Sequence, residues 1–312
     1  MLLPMSCVRP ALRLLATGLC ATFVASCATQ PGTTAHDRVP LDARPNGIAL
    51  RPGDGAIFVT DDSTNSLLIA PDREHFAHYA ALPAVAGQSA ALSQVVFVPG
   101  DALLVARFGF GTAGGIFEVD GPDKTVQISG PDPTRRRLGL AAVAPGQVLS
   151  SWFVKTGDAP LQGGLSLITY DIQTHSATER DVLVGLVKPV GVAIFHDDVF
   201  ITDQAANRLV KVNLSALLQS AQPLTADKAI AVAQLEAPDL LAVDGSGHLY
   251  TKCGKTGVCR ITANGDVTVL ANNMTDARGV VFDETHTQMD VVDRAKSGDV
   301  KSDIRRFSTQ SQ

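Results

Sequence analysis

The residues of this chain that could do chemistry are thinly spread, and they recur at a near-constant interval. Asn46, Ser93, Gly139, Val190, Asp239 and Arg278 open successive copies of one short motif, at gaps of 47, 46, 51, 49 and 39 residues. Asn46, Ser93, Asp239 and Arg278 carry polar groups, so a fold that gathers them makes a rim able to hold a ligand. A second recurring position holds Asp61, Arg107, Ser151, Asp203, Lys252 and Asp293. Groups of both signs there could line a polar site or satisfy one another between repeats. Pairing between repeats is the expectation, because Asp61 and Asp203 sit in near-identical contexts and a catalytic residue is seldom copied twice.

Other signatures are weaker. The chain has no G-x-S-x-G elbow and no H-E-x-x-H. His75 and His78 are expected on an outer strand or loop, and His196, beside Asp197 and Asp198, in a solvated turn. Residues 108–115 (FGFGTAGG) lack the lysine and the following helix of a phosphate loop, and read as a strand connection that could line a pocket. Arg135, Arg136 and Arg137 form the one basic cluster, read as a solvated turn with an anion-binding edge as the alternative. Trp152 and Phe153, beside Ser151, could wall a ligand or pack between repeats. Cys253 and Cys259 flank GKTGV with a spacing that suits neither a zinc knuckle nor a redox pair, so a disulfide across that turn is expected.

Positioning these groups falls to short strands. Residues 45–69 (PNGIALRPGDGAIFVTDDSTNSLLI) read as a strand, a Pro-Gly turn, a second strand ending at Asp61, a polar turn and a third strand. Valine, isoleucine and threonine enrichment favours strands over helices. Residues 189–214 repeat the unit nearly position by position, and residues 214–225 read as a short helical or irregular insertion. Six such repeats predict an all-β fold, a six-bladed β-propeller of four-stranded antiparallel blades in one domain, residues 38–312. The last repeat supplies three strands. Residues 39–43 are the available fourth, so strands from both termini close the ring and remove its open edges.

At 312 residues, 45% hydrophobic and 18% charged, the chain can bury a large core. A net charge of -5 without Lys/Arg blocks excludes a nucleic-acid partner. Residues 1–26 read as a signal peptide, with Arg9 and Arg13 ahead of an apolar run too short to span a bilayer. Val24-Ala25-Ser26-Cys27 resembles the bacterial lipobox. That resemblance implies a lipoprotein with lipid (palmitate) on Cys27, a tether over residues 27–37, and, since Ala28 follows, outer-membrane anchoring that faces the periplasm. An oxidising compartment suits the expected disulfide.

The repeated G-(I/V)-A opening, the strand ends FVTDD and FITDQ, and NRLVKV resemble the NHL-repeat proteins and the SMP-30/gluconolactonase-like (calcium-dependent phosphotriesterase-like) propellers over residues 45–307. The resemblance implies Ca²⁺ or another divalent cation at the channel mouth, polarising a lactone carbonyl or activating water. It places Asp239 at the family's aspartate ligand, and at the catalytic position of a hydrolase. Asn46 stands where the family has glutamate, Val190 where it has an asparagine, Gly139 offers no ligand, and Arg278 adds positive charge. The expectation is therefore an envelope-anchored propeller, monomeric in its body, that binds a small molecule, carbohydrate or protein at one face, with no cofactor assured. A metal-dependent lactonase with a diverged metal site is the alternative.

Overall fold

The structure, a computed structural model, describes residues 38–88, 91–100, 102–296 and 301–309. The leader, Cys27 and the tether lie outside the described residues. Among those described, no helix is long and apolar enough to cross a membrane.

The period in the sequence becomes six antiparallel sheets. Blade one runs Pro45–Leu50, Ile57–Asp61, Ser66–Ala70 and Ala77–Ala81 from its inner to its outer edge. Blades two to five open on Leu92–Phe97, Arg136–Ala144, Pro189–Phe195 and Leu241–Val243. Blade six opens on Ala277–Asp283, and its fourth strand is Arg38–Leu41, antiparallel to Ser302–Ser308 with Arg38 opposite Arg305 and Leu41 opposite Ser302. The expected closure by the two termini is present.

Second strands such as Ile57–Asp61, Leu103–Arg107 and Gln288–Asp293 are buried almost end to end because each blade is covered on both faces. Six apolar clusters fill the six junctions between neighbouring blades. Phe58 and Leu67 of blade one meet Val105 and Phe117 of blade two, while Val39 and Ile304 of blade six meet Ile48 and Ile57 of blade one.

Blade three departs from the four-stranded expectation. Leu224–Thr225 adds a fifth strand, parallel to Ser176–Leu186. It belongs to the insertion of blade four, which begins as the helix Leu214–Gln219. Asn213 caps that helix by accepting from the Ala216 N–H at 2.8 Å.

Inner strands repeat a second device. Register slips between Pro45 and Ile48, Pro189 and Val192, and Ala277 and Val280, a β-bulge at the start of each strand. The freed Gly191 N–H donates to Thr202 Oγ1 at 2.7 Å, and that hydroxyl donates to the Asp239 carbonyl of blade five at 2.7 Å. Thr60 makes the same bridge from Gly47 to the Ser93 carbonyl. Glycine is required at the bulge because a Cβ on Gly47 would lie 2.1 Å from the Ser93 carbonyl oxygen. These bridges fix the height at which each rim residue enters the channel mouth.

Candidate functional site at the channel mouth

The second recurring position anchors the rim from below. Asp203 accepts from the Lys188 N–H at 2.8 Å, Asp61 from the Arg44 N–H at 2.8 Å, and Asp293 from the Thr275 and Asp276 N–H groups at 2.7 and 3.0 Å. These carboxylates therefore hold the segment entering their own blade, which corrects the expectation of pairing between blades. The physical reason is local: that segment arrives with unpaired N–H groups beside the end of the second strand. Lys252 and Ser151 do reach the next blade, at Asp276 (2.8 Å) and the Val190 carbonyl (2.7 Å).

Of the four rim residues singled out in the sequence, the structure joins two. Arg278 Nη1 donates to Asp239 Oδ2 at 3.2 Å, and its Nε and Nη2 reach Asp276 Oδ2 at 2.9 and 2.7 Å. Asn46 and Ser93 belong instead to the junction of blades one and two. The Asn46 amide donates to the Leu92 carbonyl at 2.6 Å, and Ser93 is buried beneath the Thr60 bridge.

The network continues through residues that the sequence did not single out. Gln204 Nε2 donates to the Pro238 carbonyl at 3.1 Å and approaches Asp239 Oδ2 at 3.4 Å, while Lys188 Nζ donates to Gln204 Oε1 at 2.6 Å. Burial opposes the charge on Arg278, but the facing Asp239 and Asp276 carboxylates hold its pKa above the usual arginine value. Burial likewise pushes Asp276 up, and the Lys252 and Arg278 cations outweigh it, leaving the carboxyl below its ordinary range. Lys188 goes the other way. Burial lowers its pKa, Arg278 and Arg136 add to the depression, and Asp239 offsets only part of it.

Beside Lys188 the mouth opens into a cleft of about 500 Å³ walled by Phe108, Phe153, Arg136 and the connection from Lys155 to Leu161. The arginine cluster leads into a strand and is not a solvated turn: Arg135 lies in the bend just before the inner strand of blade three, which begins at Arg136. Alternation along a strand sends neighbouring side chains to opposite faces. Arg135 and Arg137 turn to Glu179 at 2.8 and 2.7 Å, and Arg135 stacks 3.9 Å from the Trp152 ring. Arg136 faces the cleft, opposite its cross-strand partner Phe153. Trp152 is thus a packing residue and Phe153 a cleft wall.

Among the described residues the histidines do not gather into a cluster. His75 caps Asp72 at 2.7 Å, His78 meets Asp123 at 2.9 Å, and His196 stands in a turn at φ 53° against Phe195. Cys253 and Cys259 form the expected disulfide, with Cα atoms 5.8 Å apart.

A divalent cation does not fit this donor set. Both Asp239 carboxylate oxygens are engaged, Oδ1 by the Leu240 N–H at 3.0 Å and Oδ2 by Arg278, so a guanidinium holds the charge position. Val190 and Gly139 bring no oxygen ligand from their side chains, and the Asn46 side chain is drawn to the junction of blades one and two by the bond from its Nδ2 to the Leu92 carbonyl. Among the described residues no three His, Cys, Asp or Glu side chains gather as a metal site would require.

A closed ring of six blades with a polar channel mouth is the six-bladed β-propeller architecture. Solved structures share this architecture. A luciferin-regenerating enzyme matches with a TM-score of 0.64 at 13% identity, covering 88% of this chain and 93% of that one. The calcium-binding protein regucalcin from Agrobacterium tumefaciens matches at 0.62 and 14%, covering 88% and 95%. A gluconolactonase from Xanthomonas campestris matches at 0.62 and 13%, covering 86% and 88%. At these identities the likeness is one of fold. No protein-family model matches the chain, and no curated protein matches its sequence.

Proposed function

We propose that the protein recognises a small organic molecule at the channel mouth and does so without a divalent-cation centre. The observation that carries this reading is the half-buried chain of polar groups from Lys188 through Gln204 and Asp239 to Arg278 and Asp276, opening on a cleft of ligand size. Burying so many charges at a surface opening is unfavourable without a purpose for them, since each must be paired or solvated. A second reading is lactone hydrolysis. It draws support from the fold shared with gluconolactonase-type enzymes, which favours a small-molecule role over a passive scaffold.

Thermal unfolding with Ca²⁺ or Zn²⁺, together with a lactone-hydrolysis assay, separates the two. A cation at a hundred times its Kd would add about 2.7 kcal/mol and raise Tm by several degrees. Neither a rise nor metal-stimulated turnover is expected. A metal-dependent rise that Asp239→Ala abolishes would replace the cation-free reading with the hydrolase.

The body is proposed to be anchored through lipid on Cys27 at the outer membrane, facing the periplasm, where the Cys253–Cys259 disulfide would persist. Cys27→Ser is expected to move the protein from the membrane fraction to the soluble one. Retention of that variant on membranes would remove the lipoprotein reading.

A further inference from the structure

We infer that the cleft between blades two, three and four binds a small organic anion with a flat apolar body, such as an aromatic carboxylate. This deepens the proposal above, resting on the mouth being a small-molecule site, and names the ligand's class. Three features define that class.

The first is an apolar surface suited to a ring. Phe153 and Phe108 stand with centroids 5.7 Å apart at an angle of 53°, and Phe110 continues the wall 5.1 Å from Phe108. Phe153 is buried at 3% exposure and backs the wall, while a planar group can lie against the accessible parts of Phe108 and Phe110 at little entropic cost, because the rings are already placed.

The second is charge. Arg136 lies 5.5, 5.2 and 5.6 Å from the Phe108, Phe110 and Phe153 centroids, and Lys188 Nζ lies 5.5 Å from that of Phe153. Among the described residues no ion pair joins either cation to a carboxylate. Arg136 is held by aromatic faces, and Lys188 Nζ donates to the neutral Gln204 amide. Nearby carboxylates are committed elsewhere: Glu179 and Asp181 to Arg135 and Arg137 on the opposite face of the strand, Asp276 and Asp239 to Arg278. Asp158, on the exposed connection, is the one acidic group lining the cleft, against Arg136, Lys155 and Lys188.

The third is the state of Lys188. Its depressed pKa reflects an ammonium held partly out of water beside two other cations, Arg278 and Arg136, with Asp239 as the opposing charge. An incoming carboxylate would relieve that cost and make charge-assisted hydrogen bonds to both cationic side chains. A neutral ligand of the same shape gains only the ring contacts, and a metal ion or organic cation is repelled.

Isothermal titration of the full chain with naphthoate, neutral naphthol and acetate tests the inference. Naphthoate should bind, with naphthol and acetate each weaker by about tenfold or more, since each lacks either the charge or the ring. Arg136→Gln and Lys188→Met should each weaken naphthoate by about tenfold and leave naphthol unchanged, while circular dichroism verifies the fold. Equal binding of naphthoate and naphthol, or unchanged naphthoate affinity in both variants, overturns the anion site. If Asp239→Asn then abolishes binding of another small molecule at the mouth, the broader proposal survives alone. If no probe binds and no rim variant alters any ligand response, both fail.

Discussion

A chain shortened to begin at Asp42 is expected to lose roughly 5 kcal/mol of stability, relative to one beginning at Ala28 that keeps the closing strand. Arg38–Leu41 buries Val39 and Leu41 to 1% and 2% exposure, and a fully buried aliphatic side chain contributes about 1.5–3 kcal/mol. Its ladder with Ser302–Ser308 adds hydrogen bonds of about 0.5–1.5 kcal/mol each, net of those made to water. The exposed Arg38–Asp303 pair adds little. Removing the strand also uncovers Ile304 at the junction of blades six and one, and leaves Ser302–Ser308 as an open edge that can pair with another chain. At roughly 2 °C per kcal/mol for a chain of this size, Tm should fall by about 10 °C, with oligomers appearing in size-exclusion chromatography. Val39→Ala keeps the ladder and should lose only the packing contribution. An unchanged midpoint and a monomeric profile for the shortened chain would show that the ring does not depend on this closure.

That closing strand was legible because the period exposed a deficit. The repeats offer three or four strands each, the sixth offers three, and residues 39–43 lie unassigned beside the first repeat. The same logic fails for Leu224–Thr225, whose two residues carry no period and whose partner strand lies in the preceding blade. The near-identity of Asp61 and Asp203 correctly marked a structural task. Whether those carboxylates turned to their own blade or the next depended on where the entering segment left its N–H groups, which side-chain pattern does not encode. Asp239 and Arg278 met because they open adjacent blades. Lys188 and Gln204 share no sequence pattern, since they lie 16 residues apart and only the hairpin of blade four brings them together. The alternation of the arginine cluster could have been read directly. A strand beginning two residues earlier would have sent Arg136 to one face and its neighbours to the other.

Arg137→Met is expected to be the most damaging single substitution near the site. The Arg137 side chain is fully buried, and its Nη2 donates to Glu179 Oε2 at 2.7 Å and to the Asp132 carbonyl at 3.0 Å. Removing one member of a buried ion pair costs about 3–5 kcal/mol, because the remaining charge stays out of water. Glu179 keeps Arg135 at 2.8 Å and the Asp132 N–H at 2.7 Å, so the loss should fall near the lower end, about 3 kcal/mol. Burial pushes the Glu179 carboxyl up, but the hydrogen bond and charge of Arg137, with help from the Asp132 N–H and Arg135, outweigh it and hold the pKa below the ordinary 4.5. The sign of the pH dependence follows. In the wild type this stabilisation is complete above pH 4.5 and fades as pH falls through the depressed value. In the variant the burial effect is less opposed, Glu179 takes up a proton at higher pH, and the neutral acid needs no counter-charge. The stability gap between wild type and variant, measured by urea denaturation, should therefore be widest near neutrality and narrow below pH 4.5. Pairing Arg137→Met with Glu179→Leu should recover part of the loss, since it removes the unpaired charge, while the Asp132 N–H loses its acceptor and Arg135 keeps Asp181. A gap independent of pH, and no recovery in the double variant, would mean that Arg137 acts by packing alone. The coupling matters for the cleft as well: Arg137 and Arg135 together engage Glu179 and Asp181, and that engagement leaves Arg136, between them, free of a carboxylate and facing the ligand side.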